Sequence, residues 1–206
     1  MTRVKICGIT RIEDGLAAAH AGADAIGLVF APASPRRVTP EQAATIAAAL
    51  PPFVSSVALF VDPGAEQVRA VLQRFRPDLL QFHGDEPPAF CAAFGLPYLK
   101  AVRVRPETDL LQYASTYAGA RGLLLDAYHP ESHGGTGQRF DWDLIPRHLP
   151  RPIVLAGGLD PDNVAAAVSR VRPWAVDVSS GVEIAKGIKD ANLVARFIRE
   201  VRNAEV

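Results

Sequence analysis

Residues 3–14 read "RVKICGITRIED": an apolar, strand-like run that stops at a cysteine and a glycine and gives way to a polar turn. The turn after this run decides between two α/β architectures. An open dinucleotide-binding sheet most often carries G-x-G-x-x-G directly after its first strand, so that the backbone can close on a pyrophosphate. "CGITRIED" has no such pattern. A closed barrel of parallel strands is the other option, and it requires the opening run to recur eight times.

It does recur. The later runs are "AIGLVF" (25–30), "SSVALFV" (55–61), "LLQF" (79–82), "YLKAVRV" (98–104), "GLLLD" (122–126), "PIVLA" (152–156) and "AVDVS" (175–179). Most are rich in Val, Ile, Leu and Ala without strict polar alternation, as expected of strands covered on both faces. Helical spacing fills the intervals. Thr10 with Glu13, and Thr39 with Gln42 behind Pro40, predict capped helix starts, and Asp160–Pro161 predicts a third. Strands alternating with helices give parallel βαβ units. No linker, low-complexity stretch or charge run divides the chain. The expectation is α/β, a single-domain (β/α)8 TIM barrel over residues 1–206.

The bulk numbers narrow the partners. With 22 basic and 22 acidic residues the formal net charge is zero, unlike a general nucleic-acid or membrane-surface binder. No apolar stretch is long enough for a signal peptide at the N-terminus or for a bilayer span anywhere. Cys7 and Cys91 match no zinc or redox spacing, so a reducing, cytoplasmic setting is expected, with a bridge between them left open. The ligand expected is a small molecule.

In a barrel the residues just after each strand converge on one face, and that face carries the chemistry. The strand ends here are Cys7, "APASPRR" (31–37), "HGDE" (83–86), Asp126, "AGGL" (156–159) and "SSGVE" (179–183). Gly157, Gly158, Ser180 and Gly181 follow strands 7 and 8, where backbone N–H groups commonly cradle a phosphate. Tight turns are the plain alternative for such glycines. Arg36 and Arg37 follow strand 2; an arginine fork suits a carboxylate, although most arginine pairs are simply solvated. The long segment "DAYHPESHGGTGQRFDW" (126–142) suits a substrate cover or a surface loop. His129 and His133 are four apart, but Pro130 argues against the helix that would make them metal ligands.

Cys7 and Asp126 form a possible base and acid pair. A free thiol titrates near ~8.5, so serving as a base requires nearby cations or dipoles that lower it. An aspartate acting as acid needs the opposite shift. Two groups displaced in opposing directions suit taking a proton from carbon while giving one to oxygen. Pairing Cys7 with His83, as in a Cys–His hydrolase, is the competing arrangement. A buried packing cysteine is the bland one.

The motifs "VKICGIT", "QFHGDE" (81–86), "LLLDA" (123–127), "GGTGQRFDW" (134–142), "LAGGL" (155–159) and "DVSSGVE" (177–183) together resemble the phosphoribosylanthranilate isomerase family, from residue 4 to "GIKD" at 187–190. The resemblance implies a (β/α)8 barrel without cofactor or metal. It implies an Amadori rearrangement of N-(5-phosphoribosyl)anthranilate in tryptophan biosynthesis. By resemblance, Cys7 is the general base at C2 of the sugar and Asp126 the general acid at the ring oxygen. Arg36 aligns with the arginine that holds the anthranilate carboxylate, and Gly157, Gly158, Ser180 and Gly181 fall on the phosphate loops. His83 and Asp177 line the site without an assigned step. Arg37 and "EIAKGIKD" (183–190) depart from the family pattern. A related histidine-pathway sugar isomerase, expected to carry aspartate after strand 1 and two similar halves, is the nearest rival. A phosphosugar-binding barrel without turnover is another.

Overall fold

The structure, a computed structural model, describes residues 1–127 and 140–204. Strands β1 (Arg3–Cys7), β2 (Ala25–Val29), β3 (Ser55–Phe60), β4 (Leu79–Phe82), β5 (Tyr98–Val104), β6 (Gly122–Ala127), β7 (Ile153–Leu155) and β8 (Ala175–Val178) pair in chain order. All pairs are parallel, and β8 returns to β1 to close the barrel. Every apolar run expected to be a strand is one, with ends moved by no more than a single residue.

Helices α1 (Ile12–Ala21), α2 (Pro40–Ala49), α3 (Ala65–Arg74), α4 (Pro88–Ala92), α5 (Leu110–Thr116), α6 (Val164–Val171) and α7 (Ala191–Asn203) surround it. Between β6 and β7 the described residues form only a 3-10 turn, Trp142–Leu144. His129, His133 and "GGTG" (134–137) lie outside the described residues.

The three expected helix starts fared differently. At α2 the full capping box forms: Gln42 N–H donates to Thr39 Oγ1 at 3.2 Å, and Thr39 N–H donates to Gln42 Oε1 at 2.8 Å, with Pro40 next. At α1 the box is absent, and Arg11 precedes the helix without a side-chain cap. Thr10 instead donates its hydroxyl to the Gly187 carbonyl at 2.5 Å, a tertiary bond that sequence spacing does not reveal. Asp160 caps a turn ahead of α6, accepting from the N–H groups of Asp162 (2.8 Å) and Asn163 (3.0 Å), and the helix opens only at Val164.

Strand alternation sorts side chains into two cores. Val4, Ile6, Phe60 and Phe82 face outward into the shell beneath the helices. There Phe60 sits between Phe30 (centroids 5.4 Å) and Phe82 (6.2 Å). Inside the barrel, Leu99, Ala101, Leu124, Val154, Ala156 and Ala175 make an apolar floor. Above it polar side chains enter the lining beside a further apolar cluster of Cys7, Val29, Ala31 and Leu59. Register sets the neighbours there: Lys5 of β1 lies opposite Asp177 of β8, and Cys7 opposite Gly27 of β2. After β8 comes a 3-10 turn, Ser180–Val182, and an antiparallel hairpin of β9 (Glu183–Ala185) and β10 (Ile188–Lys189).

Candidate active site

The strand ends open on one cavity, as a barrel requires. Cys7, Arg36, His83, Asp126, Gly157, Gly158, Asp177 and Ser180 all line it. Gly181 does not, but serves it from behind. A Cβ at Gly181 would collide with the carbonyl oxygen of Leu159, so this glycine lets the turn after β8 press against the loop after β7. No protein acceptor among the described residues takes the backbone N–H of Gly157, Gly158, Ser180 or Gly181. Gly157 and Gly158 have φ of 81° and 63°, which side chains other than glycine's rarely tolerate.

Cys7 sits over a gap that only glycine leaves. A Cβ on Gly27 would lie 2.7 Å from the Cys7 sulfur and 3.1 Å from Lys5 Nζ. Lys5 is buried and paired with Asp177 Oδ1 at 2.7 Å. Burial is the largest influence on the thiol and pushes its pKa up. The ammonium groups of Lys5 and Lys189 pull it down, Asp177 adds to the rise, and the net direction is upward. The lowered thiol expected of a base is therefore not found: two cations are present, but desolvation outweighs them. For Lys5 burial works the other way, and the negative charge of Asp177, with that of Cys7, outweighs it to raise the ammonium.

Asp126 faces the same space. Its Oδ2 is 3.1 Å from His83 Nε2, and its Oδ1 accepts from the Ala127 N–H at 2.8 Å. Gln81 Nε2 lies 3.0 Å from His83 Nδ1. His83 thus bridges the Gln81 amide and the Asp126 carboxyl through its two ring nitrogens. With both nitrogens occupied, His83 has none to spare for Cys7, and the Cys–His arrangement is not formed. Cys91 is likewise no partner. It lies in the outer shell, both cysteines are free thiols, and burial raises Cys91 to about 11.

The family model of N-(5'phosphoribosyl)anthranilate (PRA) isomerase matches residues 4–200. The chain belongs to this family. Among PRA isomerases, the Azotobacter vinelandii protein is 60% identical over 202 residues, with 98% of each chain covered. The Thermotoga maritima crystal structure matches at a TM-score of 0.88 and 43% identity, covering 98% of this chain and 100% of that one. A PRA isomerase crystallised with reduced 1-(o-carboxyphenylamino)-1-deoxyribulose 5-phosphate matches at 0.87 and 42%, with the same coverage.

Reading this PRA isomerase family member from its sequence missed four polar residues at the site. Lys5 and Gln81 were legible in principle, since each stands two positions before a named residue at or just past its strand's end and so shares its face. Glu183 and Lys189 were not. The hairpin that carries them folds back over the β8 end, and only the fold brings Glu183 to Arg36 and Lys189 to the Ser179 carbonyl (3.1 Å).

Proposed function

We propose that the chain isomerises N-(5-phosphoribosyl)anthranilate to 1-(2-carboxyphenylamino)-1-deoxyribulose 5-phosphate, with Asp126 as general acid and Cys7 as general base. The observation that carries this is the convergence of a thiol from β1 and a carboxyl from β6 on one cavity, beside two glycine-bearing loops.

Asp126 in its acid form protonates the furanose oxygen, the C1–O bond breaks, and the nitrogen lone pair forms a cationic Schiff base. That cation acidifies the hydrogen on C2. It also adds a third positive charge near a sulfur already facing Lys5 and Lys189, favouring the thiolate when it is needed. The thiolate takes the C2 proton, the C–H electrons form a C1–C2 double bond, and the C1–N π pair returns to nitrogen to give an enol-amine. Loss of the 2-hydroxyl proton and gain of one at C1 complete the ketose. Charge balance then requires one proton to pass from Cys7 back to Asp126 in each turnover. His83, bonded to Asp126 Oδ2 and held by Gln81, fixes the carboxyl's orientation.

The N–H groups of Gly157, Gly158, Ser180 and Gly181 suit the substrate phosphate, a dianion that accepts several such bonds. Arg36 suits the anthranilate carboxylate. The residues 1–206 act as one barrel domain, in the cytoplasm. No helix among the described residues is long and apolar enough to cross a membrane.

Freshly prepared N-(5-phosphoribosyl)anthranilate tests the function. Its fluorescence should change with enzyme-dependent, saturable kinetics while the product keeps the substrate's mass, as an isomerisation demands. A product of different mass, or a rate no faster than the spontaneous background, overturns it.

A further inference from the structure

Arg36 is held at both ends. A Cβ on Gly8 would lie 2.5 Å from Arg36 Cδ, so the arginine stem rests against bare backbone. At the head, Nε and Nη2 donate to Oε1 and Oε2 of Glu183, each at 2.8 Å. Glu183 also accepts from Lys189 Nζ at 2.8 Å and from the Gly187 N–H at 3.2 Å. The paired side chains are 12% and 5% exposed, so water competes little. Burial alone would raise the Glu183 carboxyl, yet the bonds from Arg36 and Lys189 outweigh it and hold it below its ordinary range.

Glu183 is not among the cavity-lining residues, whereas Arg36 is. A guanidinium has five N–H groups, and this fork uses two along one edge. Among the described residues nothing takes the Nη1 pair or the second Nη2 hydrogen, which suit another planar anion. Two cations around one carboxylate leave the cluster with a net charge of +1, which a ligand carboxylate would neutralise.

We propose that Glu183 is a positioning residue: it aims the open edge of Arg36 at the substrate's aromatic carboxylate, and so sets the preference for carboxylated substrates. This rests on the isomerase reading of the site. It separates recognition from turnover, because Glu183 bonds to Arg36, Lys189 and the Gly187 N–H but to neither Cys7 nor Asp126.

The test uses two stable probes, reduced 1-(2-carboxyphenylamino)-1-deoxyribulose 5-phosphate and its counterpart lacking the carboxyl, titrated calorimetrically into the full chain. The parent should prefer the carboxylated probe, and Arg36→Met should abolish the preference. Glu183→Gln should cut it about tenfold, or ~1.4 kcal/mol, with affinity for the carboxyl-free probe within about twofold of the parent. Glu183→Asp keeps the charge but withdraws the carboxylate by one methylene. It should lose preference similarly, and it replaces Glu183→Gln should that variant fail to fold. An unchanged preference, or equal weakening of both probes, overturns the proposal. A parent that binds neither probe overturns the isomerase reading itself, and the proposal with it.

Discussion

Lys5 and Asp177 form an ion pair of 2.7 Å inside the barrel, on adjacent strands in direct register, with the Cys7 sulfur as their neighbour above Gly27. The ammonium is thus fixed where a thiolate on Cys7 would meet it. Lys5→Met keeps the stem's length and removes the charge. The thiol should then titrate at still higher pH, seen as an upward shift in the midpoint of iodoacetamide alkylation against pH. The variant also leaves Asp177 buried without its partner, a loss of about 3–5 kcal/mol that a lower melting temperature would report. An alkylation profile unchanged from the parent would mean that Lys5 does not govern the thiol.

The raised thiol should show in its chemistry with a small electrophile. Alkylation needs only the thiolate, so its rate in the parent rises with pH through a midpoint above the ordinary ~8.5 of cysteine. A midpoint below that value would show that the two lysines outweigh burial.

Gly27→Ala tests the space beneath the sulfur. The added methyl would stand 2.7 Å from Sγ, so the thiol must move while the fold need not. A displacement of about 1 Å costs on the order of 10²-fold in rate, with circular dichroism unchanged. Full activity in this variant would show that the position of the sulfur matters little.

Gly181→Ala should push the turn after β8 away from Leu159 and separate the two loops. The expected result is a raised KM for the phosphosugar with an unaltered rate of Cys7 alkylation. Equal damage to both measurements would indicate general unfolding of the cavity.

Acid should release the Glu183 cluster. Its carboxyl is held below the ordinary 4.5, so its stabilisation is fully present above that pH and is lost as pH falls through the lower folded value. The melting-temperature gap between the parent and Glu183→Gln should be widest near neutrality and should shrink below pH ~4. A gap that widens with acidification contradicts the assignment.

The barrel was legible because its signal is repetitive: eight apolar runs at near-even spacing, each correct to a residue, constrain one another. Helix starts were less so, since Thr10 spends its hydroxyl on Gly187 rather than on α1. At the site, strand ends were predictable from topology alone, which is how Cys7, His83 and Asp126 came to share a cavity, whereas Asp177, inside β8, was named only by resemblance. The contacts that tune them were not. Burial dominates the thiol despite two lysines, a balance that depends on three-dimensional packing rather than residue type. The Arg36–Glu183 fork joins positions 147 residues apart, beyond any local pattern.

The central claim is that the Cys7 sulfur removes the C2 hydrogen while Asp126 feeds the ring oxygen. Single-turnover rates on N-(5-phosphoribosyl)anthranilate carrying hydrogen or deuterium at C2, compared across the parent, Cys7→Ser and Asp126→Asn, address it most directly. Each variant should be slower by ~10²–10⁴-fold with its fold intact, and Cys7→Ser should show a larger deuterium effect than the parent. Parent-like rates in either variant, or a deuterium effect that Cys7→Ser leaves unchanged, would contradict it.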